Sequence, residues 1–200
     1  RPKRTDLAED TIHIFCNEKE LQQIFELKLV GQEKEIIDMF LFACYTAMRF
    51  EDIVELEPAN FINSDEGYTL DYIQIKTRGR VRVPIIFKNA VTIAKRNNFQ
   101  FKKYSNNVVN DTVRAVVNRA GLLQERIKVD TSHTKGVFKK VELLSFHVGR
   151  KSFATNCYLK KIPNNLTMQA TGHKSESVFL GYIKASQMQK AEGLAAYRDY

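Results

Sequence analysis

Residues 145–155 read SFHVGRKSFAT, and this stretch carries the clearest chemical signal in the chain. The spacing predicts a helix over 146–160, on which His147 and Arg150 are three residues apart and project from the same face. A guanidinium offers a fork of donors to two phosphate oxygens, and an imidazole exchanges a proton near neutral pH. The pair is a candidate phosphate site, although this spacing also occurs by chance on ordinary solvated helix faces.

Two further residues near the carboxyl terminus become candidates only in combination with that pair. His173 follows Gly172, and Tyr182 comes nine residues after His173, within the stretch FLGYI over 179–183. A histidine just after a helix is more often a solvated cap, and a tyrosine in an apolar run is more often a core residue. Together with the histidine and arginine upstream, however, the set favours one shared site.

The hydrophobic pattern around these residues is mostly helical, with one interruption of period two. Two strands are predicted over 68–76 and 81–86, joined by a turn over 77–80. Residues 124–144 are polar and basic and predict a loop that can hold a short hairpin. Helices are predicted over 18–30, which opens with the capping box Asn17 and Glu20, and over 32–48, 50–57, 88–97, 106–120, 146–160, 163–171 and 176–198. The expected fold is therefore mainly α with a small antiparallel β-sheet, an α+β class.

Composition and charge limit the class of protein. A chain of 200 residues that is 44% hydrophobic can bury one substantial core, so we expect a single domain. The formal net charge of +8 favours a nucleic-acid partner, although many basic domains bind none. Cys16, Cys44 and Cys157 are too scattered for a disulfide framework or a thiolate metal site. Since apolar runs also stay far below the ~18 residues of a membrane span, we expect a cytoplasmic chain with no membrane partner.

Four segments resemble, in order along the chain, the catalytic segments of the tyrosine recombinases, also called phage integrases. They are TAMR (46–49) followed by IVEL (53–56), Lys76 ahead of VPI (83–85), HVGRKSFAT (147–155), and Gly172-His173 with Tyr182. The family patterns are T-G-L-R-x-x-E-L, a hairpin lysine, H-x-L-R-H-T-F-A-T and L-G-H-x(8)-Y. The resemblance covers most of the chain, from about residue 17 to about residue 190. It implies the fold of the catalytic domain of DNA breaking-rejoining enzymes.

Residues 150–156 and 171–176 are most similar to integrases of Bacteroidetes mobile elements. The chain also departs from the family pattern in three places, none of which removes a catalytic group. Ala47-Met48 replaces Gly-Leu, Gly149 replaces Leu, and Lys151 replaces His. Because glycine weakens a helix, Gly149 is expected to loosen the placement of its neighbours.

The resemblance implies catalytic roles for Arg49, Lys76, His147, Arg150, His173 and Tyr182. The Tyr182 oxygen would attack a DNA phosphate whose nonbridging oxygens are held by the two arginines. His147 would accept the tyrosine proton, His173 would donate a hydrogen bond to the phosphate, and the lysine would protonate the leaving 5′-hydroxyl. No metal ion, cofactor or ATP is expected. Asp52 would either orient the first arginine or be an ordinary exposed helix acid, and both readings stay open.

The resemblance also implies an assembly on double-stranded DNA. Residues 1–200 would form a single catalytic domain, with 1–16 as a linker from a missing N-terminal DNA-clamping domain. Residues 184–200 would form a helix that is either exchanged between protomers or packed on its own core. A homotetramer is expected on synapsed DNA, and a monomer is expected for the isolated domain. The implied location is the bacterial cytoplasm, in association with the nucleoid.

Three other functions fit parts of the pattern. A type IB topoisomerase uses similar chemistry but relaxes supercoils without a defined partner site. A noncatalytic DNA-binding protein could keep the fold without the reaction, although all six catalytic residue types are present here. A metal-dependent nuclease would need a cluster of carboxylates and histidines, which the sequence pattern does not offer.

Overall fold

The computed structural model describes residues 14–131 and 134–183, and in these ranges it confirms the expected α+β class. The helices are α1 (Glu18–Phe25), α2 (Gly31–Thr46), α3 (Phe50–Val54), α4 (Lys88–Arg96), α5 (Asn106–Arg119), α6 (Phe146–Leu159), α7 (Asn164–Thr171) and α8 (Glu176–Tyr182). The strands are β1 (Phe61–Ser64), β2 (Gly67–Ile73), β3 (Arg80–Pro84), β4 (Arg126–Asp130) and β5 (Lys135–Lys139). Strands β1-β2-β3 form one antiparallel sheet, and β4 pairs with β5 in a separate hairpin.

Helix α2 lies at the centre of the core. All of its residues from Ile36 to Thr46 are buried, so protein surrounds this part of the helix on every side. Helices α1, α4, α5 and α6 pack against it. Its one buried carboxylate, Asp38, is paired with Lys34 and Arg96, which offsets the cost of burying the charge. The helix thereby provides a rigid base for the segment that follows it.

Helix α6 lies very close to α2 at Gly149. A Cβ atom added to Gly149 would lie 3.0 Å from the Ala43 Cβ and 3.3 Å from the Cys44 backbone nitrogen. The glycine therefore lets the two helices touch through their backbones. The expectation that Gly149 loosens its neighbours is wrong, because the missing side chain brings Arg150 close to the end of α2.

Replacing Gly149 by leucine, the residue of the family pattern, should lower the free energy of unfolding by about 1–3 kcal/mol. The side chain has no space unless α6 moves away from α2. Urea unfolding followed by circular dichroism measures the change. Gly181→Leu is the matched control: an added Cβ there meets no atom of the described residues within 4 Å, so stability should change by less than about 0.5 kcal/mol. Equal losses in the two variants would contradict the packing explanation.

Several helix ends differ from the sequence prediction. The capping box of Asn17 and Glu20 is confirmed, but α1 ends at Phe25 and not at residue 30. The chain then leaves the helix so that Leu27 and Leu29 can pack on the core in irregular backbone. Helix α8 ends at Tyr182, and the rest of the helix predicted over 176–198 lies outside the described residues, apart from Ile183, which is extended.

The strands differ in number and in length. The short hairpin allowed for within residues 124–144 is present as β4 and β5. Strand β1 was not predicted, because of its four residues only Phe61 is buried and no alternation is visible. Strand β2 ends at Ile73, three residues earlier than predicted, which moves Lys76 from the strand into the turn.

The amino-terminal boundary of the domain also differs. Ile14 and Cys16 are buried in the core, and the Cys16 N–H donates a hydrogen bond to Ser152 Oγ at 2.9 Å. These residues belong to the domain and not to the linker predicted over 1–16, whose other positions, except Phe15, lie outside the described residues. The helix predicted over 184–200 lies outside them too. Across the ranges that are described, each helix is too short or too polar to cross a bilayer.

Candidate active site

Four of the six predicted catalytic residues line one pocket of about 340 Å³: Arg49, Lys76, His147 and Arg150. Arg49 immediately precedes α3, and the histidine and second arginine lie in the first half of α6. Lys76 lies in the turn between β2 and β3. Hydrogen bonds from the Gln74 N–H to the Gly79 carbonyl and from the Arg78 N–H to the Gln74 carbonyl, both 2.9 Å, close this turn. Three distant parts of the chain thus meet at one cationic pocket.

Arg150 is anchored by the ends of two helices. Its side chain is buried, and its guanidinium donates hydrogen bonds to the carbonyl oxygens of Ala47 and Thr171. Ala47 caps the end of α2 in the left-handed region, and Thr171 is the last residue of α7. Carbonyls at helix ends carry partial negative charge, so they both orient the cation and stabilise it. Arg150 therefore reaches the pocket in a set orientation.

Asp52 connects the first arginine to the lysine turn. Its Oδ2 lies 3.9 Å from Arg49 Nη1, and its Oδ1 accepts a hydrogen bond from the Ile75 N–H at 2.9 Å. Asp52 is buried, so the reading of this residue as an exposed helix acid is wrong. Glu55, which the sequence pattern matched to the family glutamate, instead pairs with Lys103 on the surface at 2.7 Å. The carboxylate that positions this side of the pocket is therefore Asp52.

Polar atoms without hydrogen-bond partners are concentrated around this pocket. In residues 14–131 and 134–183, the buried side-chain atoms that lack a partner are Arg49 Nη1, Asp52 Oδ2, Tyr72 Oη and Gln74 Nε2. Buried polar groups are normally satisfied, so their concentration indicates a place built for a polar ligand. Burial, and next the Asp52 carboxylate, raise the pKa of Tyr72 to about 12, which keeps its hydroxyl protonated.

Tyr72 and Gln74 were missed as candidate site residues, although a signal for them existed. Both are buried on β2 or just after it, and both alternate with exposed residues. The sequence placed them on one strand face together with Lys76, which was itself a candidate. Polar residues on a buried strand face are unusual, and that pattern marked this edge of the site.

The two histidines are both held neutral. The pKa of His147 is lowered to about 4, although the residue is exposed. The largest cause is the displacement of water from its ring by the surrounding protein, and the next is the positive charge of Lys151, Arg150 and Arg49. Burial, followed by the charges of both arginines, lowers the pKa of His173 to about 4. Each imidazole is therefore uncharged at neutral pH.

His173 and Tyr182 stand apart from the other four. His173 lines a neighbouring cleft of about 760 Å³ between the hairpin turn and α7. Its ring packs edge-on against the ring of Phe179, with the two ring centroids 5.7 Å apart. Both arginines nevertheless act on its pKa, so it borders the same cationic region. Tyr182 ends α8, and its side chain is outside the described part of the structure. Phe179 and Ile183 pack with Ala154 of α6, which attaches α8 to the helix that carries His147.

No potential metal site is found among the residues that the structure describes. In those ranges, no group of three or more His, Cys, Asp or Glu side chains is arranged to hold a metal ion. The charged residues that line the pocket are three cations, Arg49, Lys76 and Arg150, and one carboxylate, Glu51, so the excess of positive charge suits an anionic ligand.

The fold is similar to that of solved recombinase structures. XerH site-specific recombinase bound to palindromic difH substrate has a TM-score of 0.66 and 16% identity, with 92% of this chain and 53% of that chain covered. XerA recombinase has a TM-score of 0.66 and 13% identity, with 95% of this chain and 67% of that chain covered. A lambda integrase dimer bound to a COC′ core site has a TM-score of 0.61 and 15% identity, with 89% of this chain and 62% of that chain covered. This chain thus spans about half to two thirds of the length of these neighbours, and at such identities the likeness concerns the fold.

Sequence comparisons give the family. No curated protein matches the sequence. The model described as the phage integrase family matches residues 15–189, which include all six predicted catalytic residues. Because this match spans most of the chain, the chain belongs to the phage integrase family, that of the tyrosine recombinases.

Proposed function

We propose that this chain is the catalytic part of a site-specific DNA recombinase, which cleaves and rejoins DNA strands through a covalent 3′-phosphotyrosine at Tyr182. The observation that carries the proposal is the pocket shared by Arg49, Lys76, His147 and Arg150. Two guanidiniums, an imidazole and an amine around one space suit a single phosphate, because together they supply donors, positive charge and exchangeable protons. Membership of the phage integrase family supports the same reaction.

The two arginines hold the nonbridging oxygens of the scissile phosphate. The guanidinium of Arg150 is already oriented by two backbone carbonyls, so it needs little reorganisation when the phosphate arrives. Among the described residues, Arg49 Nη1 is a buried donor without a hydrogen-bond partner, which suits a phosphate oxygen. The positive charge of both side chains offsets the negative charge that grows on these oxygens as the reaction proceeds.

Proton transfer at the nucleophile involves His147. The Tyr182 oxygen forms a bond to phosphorus while the bond from phosphorus to the 5′ oxygen breaks. A tyrosine hydroxyl has a pKa of about 10, so it needs a base at neutral pH. His147 is neutral there and accepts the proton, and a phosphate in the pocket raises the pKa of its imidazole again, which favours that uptake.

Proton transfer at the leaving group involves Lys76, which gives a proton to the departing 5′ oxygen. Its turn is tied to Asp52 through the Ile75 N–H, so the lysine is held beside the first arginine. The phosphotyrosine conserves the energy of the phosphodiester bond, and the 5′-hydroxyl of another strand reverses the step. The reaction therefore uses no ATP, cofactor or metal ion.

The wild-type protein should form a covalent adduct with a nicked suicide substrate, and the yield should be unchanged in excess EDTA. The substrates are a pool of nicked duplexes that carry candidate sites, and the nick lets the 5′-hydroxyl fragment diffuse away so that the adduct accumulates. A denaturing gel that retains only covalent complexes measures the yield. The DNA site can be identified by sequencing the DNA attached to the trapped protein.

Other outcomes of this assay identify the alternative functions. Cleavage that leaves no adduct and is abolished by EDTA would indicate a metal-dependent nuclease and would contradict the proposal. No adduct on any DNA would indicate a DNA-binding protein that retains only the fold. Relaxation of supercoils without sequence preference or a partner site would indicate a type IB topoisomerase.

We also propose an assembly of four protomers around two synapsed duplexes. One structural neighbour is a lambda integrase tetramer bound to a Holliday junction, with a TM-score of 0.61 and 14% identity. Light scattering with and without DNA should show a monomer becoming a larger complex, and removal of residues 184–200 tests whether that segment joins protomers.

The similarity of residues 150–156 and 171–176 supports an origin in a Bacteroidetes mobile element, and the net charge of +8 supports association with the nucleoid.

A further inference from the structure

Thr171 contacts two of the side chains that surround the proposed phosphate site. It is fully buried at the end of α7. Its hydroxyl oxygen lies 2.7 Å from His173 Nδ1, and its backbone carbonyl accepts a hydrogen bond from the Arg150 guanidinium. The family pattern has leucine at this position, and leucine offers no hydroxyl. The hydrogen bond to His173 is therefore a feature of this chain that the family pattern does not supply.

The hydroxyl of Thr171 has one proton and three acceptors near it. These are His173 Nδ1 at 2.7 Å and the carbonyl oxygens of Thr167 and Met168, both at 3.3 Å. The Met168 carbonyl already accepts the Gly172 N–H at 2.7 Å, and the Thr167 carbonyl accepts the amide four residues later in the regular helical pattern. An O–H donor prefers distances below about 3.0 Å, which favours donation to the ring over donation to either carbonyl.

We propose that Thr171 is a positioning residue that keeps the ring proton of neutral His173 on Nε2, so that the imidazole donates to a phosphate oxygen without first becoming a cation. If Nδ1 accepts from Thr171, the single proton of the neutral ring has to sit on the other nitrogen. The inference rests on the proposed function for its phosphate acceptor, but the tautomer is a property of the protein alone.

The surroundings of His173 explain why a neutral donor suits this site. Burial disfavours a charged imidazolium here, and two guanidiniums would repel it as well, so the pKa of His173 is low. The titratable and charged groups that act on the ring or line its cleft are Arg49, Arg80, His147, Arg150, Lys174 and Glu176. Cations outnumber the one carboxylate in this set. A fixed tautomer gives the phosphate a hydrogen-bond donor without adding another positive charge.

Nitrogen NMR of the ring tests the tautomer directly in the whole protein without DNA. The protein has four histidines, so His173→Gln assigns the signals. Near neutral pH, the wild type should carry the proton on Nε2, and Thr171→Ser should match it because the hydroxyl remains. Thr171→Val should give a mixture of tautomers. Thr167→Val is the matched control, since it removes a buried hydroxyl one turn earlier that does not contact the ring, and it should match the wild type.

The wild-type spectrum alone can overturn the proposal, whether or not the variants fold. A proton on Nδ1 in the wild type would show that Thr171 accepts from the ring and does not donate to it. An unchanged single tautomer in a folded Thr171→Val protein would show that the hydroxyl does not set the proton position.

Adduct formation across pH tests the consequence for the reaction. Thr171→Val keeps the backbone carbonyl that binds Arg150, so it removes only the contact with the ring. Near neutral pH its rate should fall about 10-fold, with Thr171→Ser close to wild type. The deficit should shrink as the pH falls toward 4, near the pKa of the ring, because a protonated ring carries a proton on Nε2 in either protein. A deficit that is constant with pH would make the hydroxyl merely structural, and a wild type that forms no adduct would reject the proposed function while the NMR result stands.

Discussion

Tyr182→Phe should abolish the covalent protein–DNA adduct, with a rate at least about 10⁴-fold below that of the wild type. Phenylalanine lacks the oxygen that forms the bond to phosphorus, and no rearrangement of the pocket can replace it. The suicide-substrate assay on a denaturing gel measures the adduct. Binding of the same DNA should remain within about 3-fold of wild type, because arginine and lysine contacts to other phosphates carry most of the affinity.

A second tyrosine provides the control for this substitution. Tyr158 lies on α6 and packs against the cluster of Phe179 and Ile183, so it is close to α8 without lining the arginine pocket. Tyr158→Phe should retain the adduct. An adduct that persists in Tyr182→Phe would contradict the assignment of the nucleophile. Tyr72 is a poor substitute, because its hydroxyl is buried and its pKa is raised to about 12.

Arg150→Ala should lower the rate of adduct formation by about 10³-fold or more while leaving most of the DNA affinity intact. Arg150 is buried, and its guanidinium lies where it can donate to a phosphate in the pocket. Single-turnover cleavage at saturating protein separates the chemical step from binding. A loss confined to binding would place Arg150 among general DNA contacts and would contradict its catalytic role.

The same substitution also affects the fold, and this has to be separated from the reaction. Removing Arg150 leaves the carbonyls of Ala47 and Thr171 without their donor. Each buried group that is left unsatisfied should lower the free energy of unfolding by roughly 1–3 kcal/mol. Arg150→Lys is the matched variant, because it keeps the charge but cannot bind two carbonyls and a phosphate with one planar group. It should fold better than Arg150→Ala and still cleave at least about 10²-fold more slowly than wild type.

Local rules account for the parts of the molecule that the sequence predicted well. The capping box of Asn17 and Glu20 needs only residues three apart, and so does the shared helix face of His147 and Arg150. The hairpin of β2 and β3 follows from the alternation of apolar and polar residues on either side of a short turn. Such features are encoded within a few residues, so periodicity and spacing reveal them.

The errors have a common physical cause, which is competition from distant packing. Helix α1 ends early because Leu27 and Leu29 contact the core in irregular backbone, although their local pattern continues the helix. Gly149 weakens a helix in isolation, yet here it permits the contact of α6 with α2. Asp52 and Glu55 are equally plausible partners for an arginine by sequence, and only burial separates them.

The sequence by itself determined the fold class and the family and predicted six catalytic groups, because each depends on residue types at short spacings or in a fixed order. Only the tertiary structure decided that Arg49, Lys76, His147 and Arg150 share a pocket, and that Arg150 is held by carbonyls from two other helices. It likewise decided which nitrogen of His173 faces Thr171. These contacts join residues from separate elements, so their geometry depends on how closely α2, α6 and α7 pack, which short spacings along the chain do not encode.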